Sequence, residues 1–358
     1  MNKLFIFGFT FLLSSNLIAQ KTISEPIKII AGHSNDVVLV TQSAKGNYIA
    51  TGSWDKNVLI YDSNFNQLKT LSGHTFPISA LKFRSDGKLL ASGSSDNSII
   101  IWDSLWRNSR TLAGHQSKIT AFCFDKSNKY LFSGSDDKTI LVWDLKSGKM
   151  LRKIDIGQAI TSIAQTNNPR FLFVASAGPQ IRLYDLSNLT ISKTFVGHGD
   201  IVNSIASSNN NKYILSGSND KTARIWEIAT GKEIRKLPVD CWKVTAVAFS
   251  NDSKYALTGC NDGSVKIWEV ETGNLISQIE ANGQYVMSAE FGLSQEKFYV
   301  AAMIKNSTAY GLRVWPSCIE DKKQTIEINT TDSTKTTNIS EISPKVSSKA
   351  KTVNTSKK

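Results

Sequence analysis

Between residues 78 and 114 the chain cycles through four short apolar runs. ISALKF (78–83) alternates apolar and polar positions, RSDGK (84–88) turns, and LLASGS (89–94) is a second β-rich run. SSDN (94–97) turns tightly, SIIIWD (98–103) forms a third run and RTLAG (110–114) a fourth. Short β-rich runs bounded by Asp, Gly and Asn predict a four-stranded antiparallel meander. A sheet that small buries too little apolar area to stand alone, so its faces must pack on neighbouring units.

The same pattern returns along the chain. Gly-His pairs stand at 32–33, 73–74, 114–115 and 197–198. An aromatic residue followed by an acid occurs as Tyr61-Asp62, Trp102-Asp103, Trp143-Asp144, Tyr184-Asp185, Trp226-Glu227 and Trp268-Glu269, with Trp315-Pro316 as a worn seventh copy. Successive aromatics are 41, 41, 41, 42, 42 and 47 residues apart, so seven units follow in register.

Gly-His, then Ser-Gly-Ser-x-Asp, then Trp-Asp, at a period of about 40–45 residues, resembles the WD repeat. The resemblance covers roughly Glu25 to Cys318 and implies an all-β, seven-bladed β-propeller of four-stranded antiparallel blades. The fourth run of each unit directly precedes the next Gly-His, as in KTLSGH, SRTLAGH and SKTFVGH. EPIKIIAGH (25–33) has that form with no unit before it, and the last unit stops after its third run, GLRVWP (311–316). The N-terminal run is therefore expected to complete blade seven, which removes the open edge of a linear array.

Three units carry a full polar set: His74, Ser92, Asp96 and Trp102; His115, Ser133, Asp137 and Trp143; His198, Ser216, Asp220 and Trp226. The resemblance implies a buried network in which Asp meets His, His meets Ser and Ser meets Trp. A Ser-His-Asp nucleophilic triad has the same residue types, but a set that recurs around a ring at structural turns is not one exposed site. Other units depart from the pattern. The first has His33, Thr51 and Asp55 with Tyr61, the fourth Ile156, Gly178 and Tyr184, the sixth Asp240 in the His position with Asp262 and Trp268, and the seventh Asn282 and Asn306.

Catalytic chemistry is hard to place. All 4 histidines sit in the Gly-His pairs, which leaves none for general-base or metal work. Cys123, Cys241, Cys260 and Cys318 show no zinc spacing. The Gly-Lys pairs at 87–88, 148–149 and 231–232 lack the rest of a phosphate loop. No enzyme activity, metal or cofactor is expected. Because the loops bearing His and Asp meet on one face in the family, Cys241 and Cys260 fall near each other; the expectation is two unpaired small buried side chains, with a disulfide as the alternative.

Net charge is +12, of which Lys3 supplies one and the last forty residues three, leaving +8 on the repeats. The basic residues form no stripe, so nucleic acid is not an expected partner. The first 19 residues read as a secretory signal peptide: Lys3, then apolar Leu4 to Leu13, then polar Ser14-Ser15-Asn16 and a cut near Ala19-Gln20. That stretch is shorter than the roughly 20 apolar residues of a bilayer span. An exported, bacterial-type member, periplasmic or secreted, is expected, with cytoplasmic residence the alternative. From Ile319 to Lys358 there is no aromatic residue and Ser and Thr fill 14 of 40 positions, which predicts a disordered tail.

The function expected is a protein-binding scaffold. In WD repeats the residues just after Gly-His and just before the turn Asp point out on one face. Here they are Trp54, Phe76, Trp242 and Tyr285 on blades one, two, six and seven, against Gln116, Asp136, Gln158, Asp200 and Asn219 on blades three to five. The alternative is a propeller enzyme or small-ligand binder that uses the central channel.

Overall fold

The computed structural model describes residues 21–280, 284–294, 296–304, 310–317 and 319. The expected signal segment, Asn282, Asn306, Cys318 and the tail from residue 320 lie outside the described residues. Every regular element described is a β-strand, and the strands form seven antiparallel four-stranded blades in a ring.

Blade two shows how the apolar pattern becomes a blade. Ile78–Phe83, Leu90–Ser94, Ser98–Trp102 and Asn108–Ala113 pair in chain order. The second and third strands are buried on both faces, while the fourth is exposed except at half-buried Arg110 and buried Leu112. The apolar core is split among the seams: Ala80, Ile99, Ile101 and Leu112 of blade two pack with Ile119, Phe124, Leu131 and Trp143 of blade three. The close approach depends on a glycine in the second strand. A Cβ on Gly93 would lie 2.6 Å from the Ile119 side chain, and one on Gly217 2.5 Å from Val244.

The innermost strands are also stitched across the seams. Ser79 Oγ donates to the Ile119 carbonyl (2.6 Å), Thr161 Oγ1 to Val202 (2.6 Å) and Asn203 Nδ2 to Val244 (2.9 Å). These residues all stand five places beyond the Gly-His position, a regularity of small polar residues that was readable in the chain but not used above.

Closure follows the sequence expectation. Lys28–Ala31 pairs antiparallel with Gly311–Pro316, in the register Ile30↔Leu312, and so supplies the outer strand of blade seven. Ile30 is buried in the cluster that joins Tyr299, Leu312 and Val314 of blade seven to Val37, Ile49 and Leu59 of blade one. Two features fall outside the expected 25–318 boundaries. Lys21–Ile23 pairs in parallel with Leu275–Glu280 as a fifth strand on blade six, and Ile319 is buried in the seam between blades six and seven. The four-residue link from 24 to 27 thus ties the outer edges of two neighbouring blades to one segment.

Candidate functional site

In blades one, two, three and five the upper loop, from an outer strand into the next inner strand, is held by the tight turn between the second and third strands. In blade five Asp220 Oδ2 lies 2.8 Å from His198 Nδ1, His198 Nε2 lies 2.7 Å from Ser216 Oγ, and Trp226 Nε1 donates to Ser216 Oγ at 2.8 Å. Blade two repeats this with His74, Asp96, Ser92 and Trp102 at 2.8–3.0 Å, and blade three with His115, Asp137, Ser133 and Trp143 at 2.8 Å. A carboxylate only accepts, so the proton sits on Nδ1 and the serine hydroxyl donates to Nε2. Ser92, Ser133 and Ser216 have no exposed surface, and their hydroxyls are fully engaged. As a catalytic triad the set has no access to substrate; as a clamp every group is satisfied.

Electrostatics follow from that burial. Desolvation pulls the pKa of His115 and His198 down against the pull of their aspartates, which keeps both rings neutral. Burial acts to raise the Asp137 and Asp220 carboxyls, yet the threonine, histidine and backbone donors outweigh it and hold both at about 2. Unfolded histidine takes up a proton near pH 6.5 and unfolded aspartate near pH 3.9. All four groups therefore bind protons more readily unfolded than folded, and their stabilisation is complete above pH 6.5 and is lost on acidification. The midpoint of urea unfolding should fall from pH 6.5 downward, with a second loss between about pH 4 and 2. A midpoint flat from pH 7 to 5 in the native chain, or a slope there unchanged in His115→Gln/His198→Gln, would remove the histidines from the account.

The other blades vary the clamp. In blade one His33 lies 2.8 Å from Asp55 and 2.8 Å from Thr51, while Tyr61 fills the tryptophan site. Blade four forms its four strands without the clamp; Ser176 Oγ donates to the Gln158 side chain instead (2.9 Å). In blade six Trp268 donates to Thr258 (2.9 Å), and Asp262 accepts from Ser264. Here the expectation of two unpaired cysteines is corrected: Cys241 and Cys260 are joined in a disulfide, with Cα atoms 6.3 Å apart. The spacing in sequence could not decide this, because the bond depends on how closely a loop and a strand end approach.

The residues expected to face a partner lie on this upper side. Trp54 is 39% exposed, Phe76 56%, Trp242 76% and Tyr285 44%, and among the described residues no other aromatic side chain is exposed to this degree. The ring order places blades six, seven, one and two side by side, so the four form one arc. Gln116, Asp136, Gln158 and Asp200 on the remaining blades are exposed and polar, and Asn219 is half-buried. Lys221 of blade five sets its Nζ 5.5 Å from the Trp242 ring centroid, a cation–π contact across the seam. Met287, also exposed, extends the arc toward the channel and was missed above, because its place five beyond the Gly-His position is polar in most units.

The channel encloses about 580 Å³ and is lined by the innermost strands of all seven blades. Its wall carries few free reactive groups. Burial pushes the Cys123 thiol up to about 12, which keeps it protonated at neutral pH. Lys82 pairs with Glu290 at 3.5 Å. Among the described residues there is no group of three His, Cys, Asp or Glu side chains able to hold a metal ion, and no helix long and apolar enough to cross a membrane.

The sequence profile of the WD domain, G-beta repeat, matches residues 24–62, 65–103, 106–144, 189–227 and 231–269. Residues 145–188, between two matches, hold the three inner strands of blade four, which lacks the histidine clamp, and residues 270–358, after the last match, hold the three inner strands of blade seven, the third of which ends in Trp-Pro. No curated protein matches the chain. Five matched repeats over more than half of the sequence, in a closed ring of seven blades, make this chain a member of the WD-repeat family.

Proposed function

We propose that this propeller is a non-catalytic scaffold that presents its upper face, over blades six, seven, one and two, to a protein partner, and that it does so after export. The observation that carries the reading is the segregation of exposed aromatics: Trp54, Phe76, Trp242 and Tyr285 share one arc, and the opposite arc is polar. Large aromatics are enriched at binding hot spots, and truncating one typically costs about 2 kcal/mol or more of binding energy. In blades one and two the clamps hold the turn and loop that carry Trp54 and Phe76, so little ordering entropy is lost there on binding. Export accords with the Cys241–Cys260 disulfide, since such bonds persist in oxidising compartments.

The test begins with crosslinking in cells and mass spectrometry to recover the partner, with N-terminal sequencing of the mature chain to check export. Trp54→Ala and Trp242→Ala should each weaken binding about thirtyfold while the melting temperature stays nearly constant. A loss of stability with unaltered affinity would make these rings seam covers rather than contacts.

A further inference from the structure

In blades one, two, three and five the upper loop is tethered to the turn by three bonds that occupy the same positions. The histidine ring bonds the aspartate. The aspartate also accepts from the backbone N–H of the next residue, which is Ser34, Thr75, Gln116 or Gly199 (2.9–3.0 Å). The serine two places before the aspartate, Ser53, Ser94, Ser135 or Ser218, donates to the carbonyl of the loop residue after that one (2.8–3.1 Å). Blade six lacks this arrangement. Asp240 stands in the histidine position, in left-handed backbone (φ 57°) and with an exposed side chain, and Asp262 turns to Ser264. The two residues that would make the other contacts are Cys241, in the place of Ser34, and Cys260, in the place of Ser53. They are bonded to each other.

We propose that the Cys241–Cys260 disulfide does in blade six what the histidine clamp does in its neighbours, so that the loop presenting Trp242 takes up its binding conformation only in the oxidised chain. Trp242 directly follows Cys241, and the loop's other ties are Lys266 Nζ, which donates to the Val239 carbonyl (2.7 Å) and pairs with Asp240 (3.6 Å), two bonds between Lys243 and Asn261 (3.1 and 3.2 Å), and the Lys221 contact with the Trp242 ring. Closing the bond passes two electrons and two protons from the two thiols to an oxidising protein disulfide, which leaves as a dithiol. Cys260 has no exposed surface and Cys241 only 4%, so once the chain has folded the bond is shielded from attack. It acts as a lock set during oxidative folding rather than as a rapid toggle. The surface arc is thereby completed only in a compartment that supports disulfides; this last step rests on the partner-binding reading given above.

The experiment uses the full chain and needs no partner for its main arm. Non-reducing digestion of the oxidised protein should yield one peptide pair linked through Cys241 and Cys260; recovery of both as free thiols overturns the proposal. Hydrogen exchange of the Lys243 amide, which donates to Asn261, should accelerate about tenfold or more in Cys241→Ser/Cys260→Ser, while the Gly199 and Val202 amides of blade five, which donate to Asp220 and Gly178, stay protected. Unchanged exchange at Lys243 overturns the clamp. Asp240→His added to those two changes rebuilds the blade-five arrangement around Asp262 and Thr258 and should restore protection. If the double variant does not fold, folding of the triple variant with the Lys243 amide protected supports the clamp, and failure of both overturns it. Should Trp242→Ala bind partner normally while the double variant loosens the loop, the clamp stands and the binding surface does not.

Discussion

Removing residues 25–31 is expected to abolish cooperative unfolding of the whole ring, not only to fray one blade. The segment supplies the outer strand of blade seven, from Lys28↔Val314 to Ala31↔Gly311, with Ile27 N–H donating to Val314 (2.8 Å). Without it the Gly311–Pro316 strand becomes a bare edge, and such edges invite pairing with other chains. Ile30 is also part of the seam that fastens blade seven to blade one. Burying a residue of this size contributes about 2–5 kcal/mol, judged by truncation to alanine, and the deletion removes the strand hydrogen bonds as well. That sum is comparable to the net stability of an ordinary domain, about 5–15 kcal/mol. Calorimetry should show the main transition lost or broadened, with association of the unfolded chain. An unchanged melting temperature would refute the clasp. A chain starting at Glu25 keeps the clasp, loses only the parallel strand Lys21–Ile23, and should fall far less.

Ser216→Ala should be the most damaging single-atom deletion in blade five. The hydroxyl receives the Trp226 indole N–H and donates to His198, and Ser216 and Trp226 are both buried. Alanine leaves both partner groups without a bond in the interior, and each such group costs about 1–3 kcal/mol. Thr51→Ala in blade one is the control. There the hydroxyl meets His33, while the Tyr61 hydroxyl below it makes no hydrogen bond, so one clamp bond is lost rather than two. Urea titration should place Ser216→Ala below Thr51→Ala. Equal losses at the two sites would mean that packing, not polar satisfaction, sets the strength of these seams. Trp226→Ala removes bond and bulk together and should cost about 3–5 kcal/mol.

Much of the fold was legible because a repeat states each local rule several times. The Gly-His and Trp-Asp positions carry a period near 41 residues, so the erosion of blade four at Ile156 and Gly178 did not obscure its strands. Blade four shows why: its inward apolar positions Phe173, Ile181 and Phe195 remain, and they pack with Ile205, Ile214 and Trp226 of blade five whether or not a clamp is present. The aromatic arc was legible once the resemblance to the WD repeat gave each position its direction and the period placed it in the unit. Met287 was not, because its unit is worn and the same place is polar in most units.

The sequence by itself determined the strands, the number of blades and the closing role of residues 25–31, which follow from alternation and period, while the polar clamps were implied by the resemblance to the WD repeat. Only the tertiary structure decided what depends on the distance between units: the parallel strand Lys21–Ile23 on blade six, the seat of Ile319 in the seam between blades six and seven, and the Cys241–Cys260 bond. Alternation says which way a side chain points along its own strand. It does not say which edge remains open on another blade, or that two backbones come within the reach of a disulfide, because those depend on the twist and packing of the closed ring.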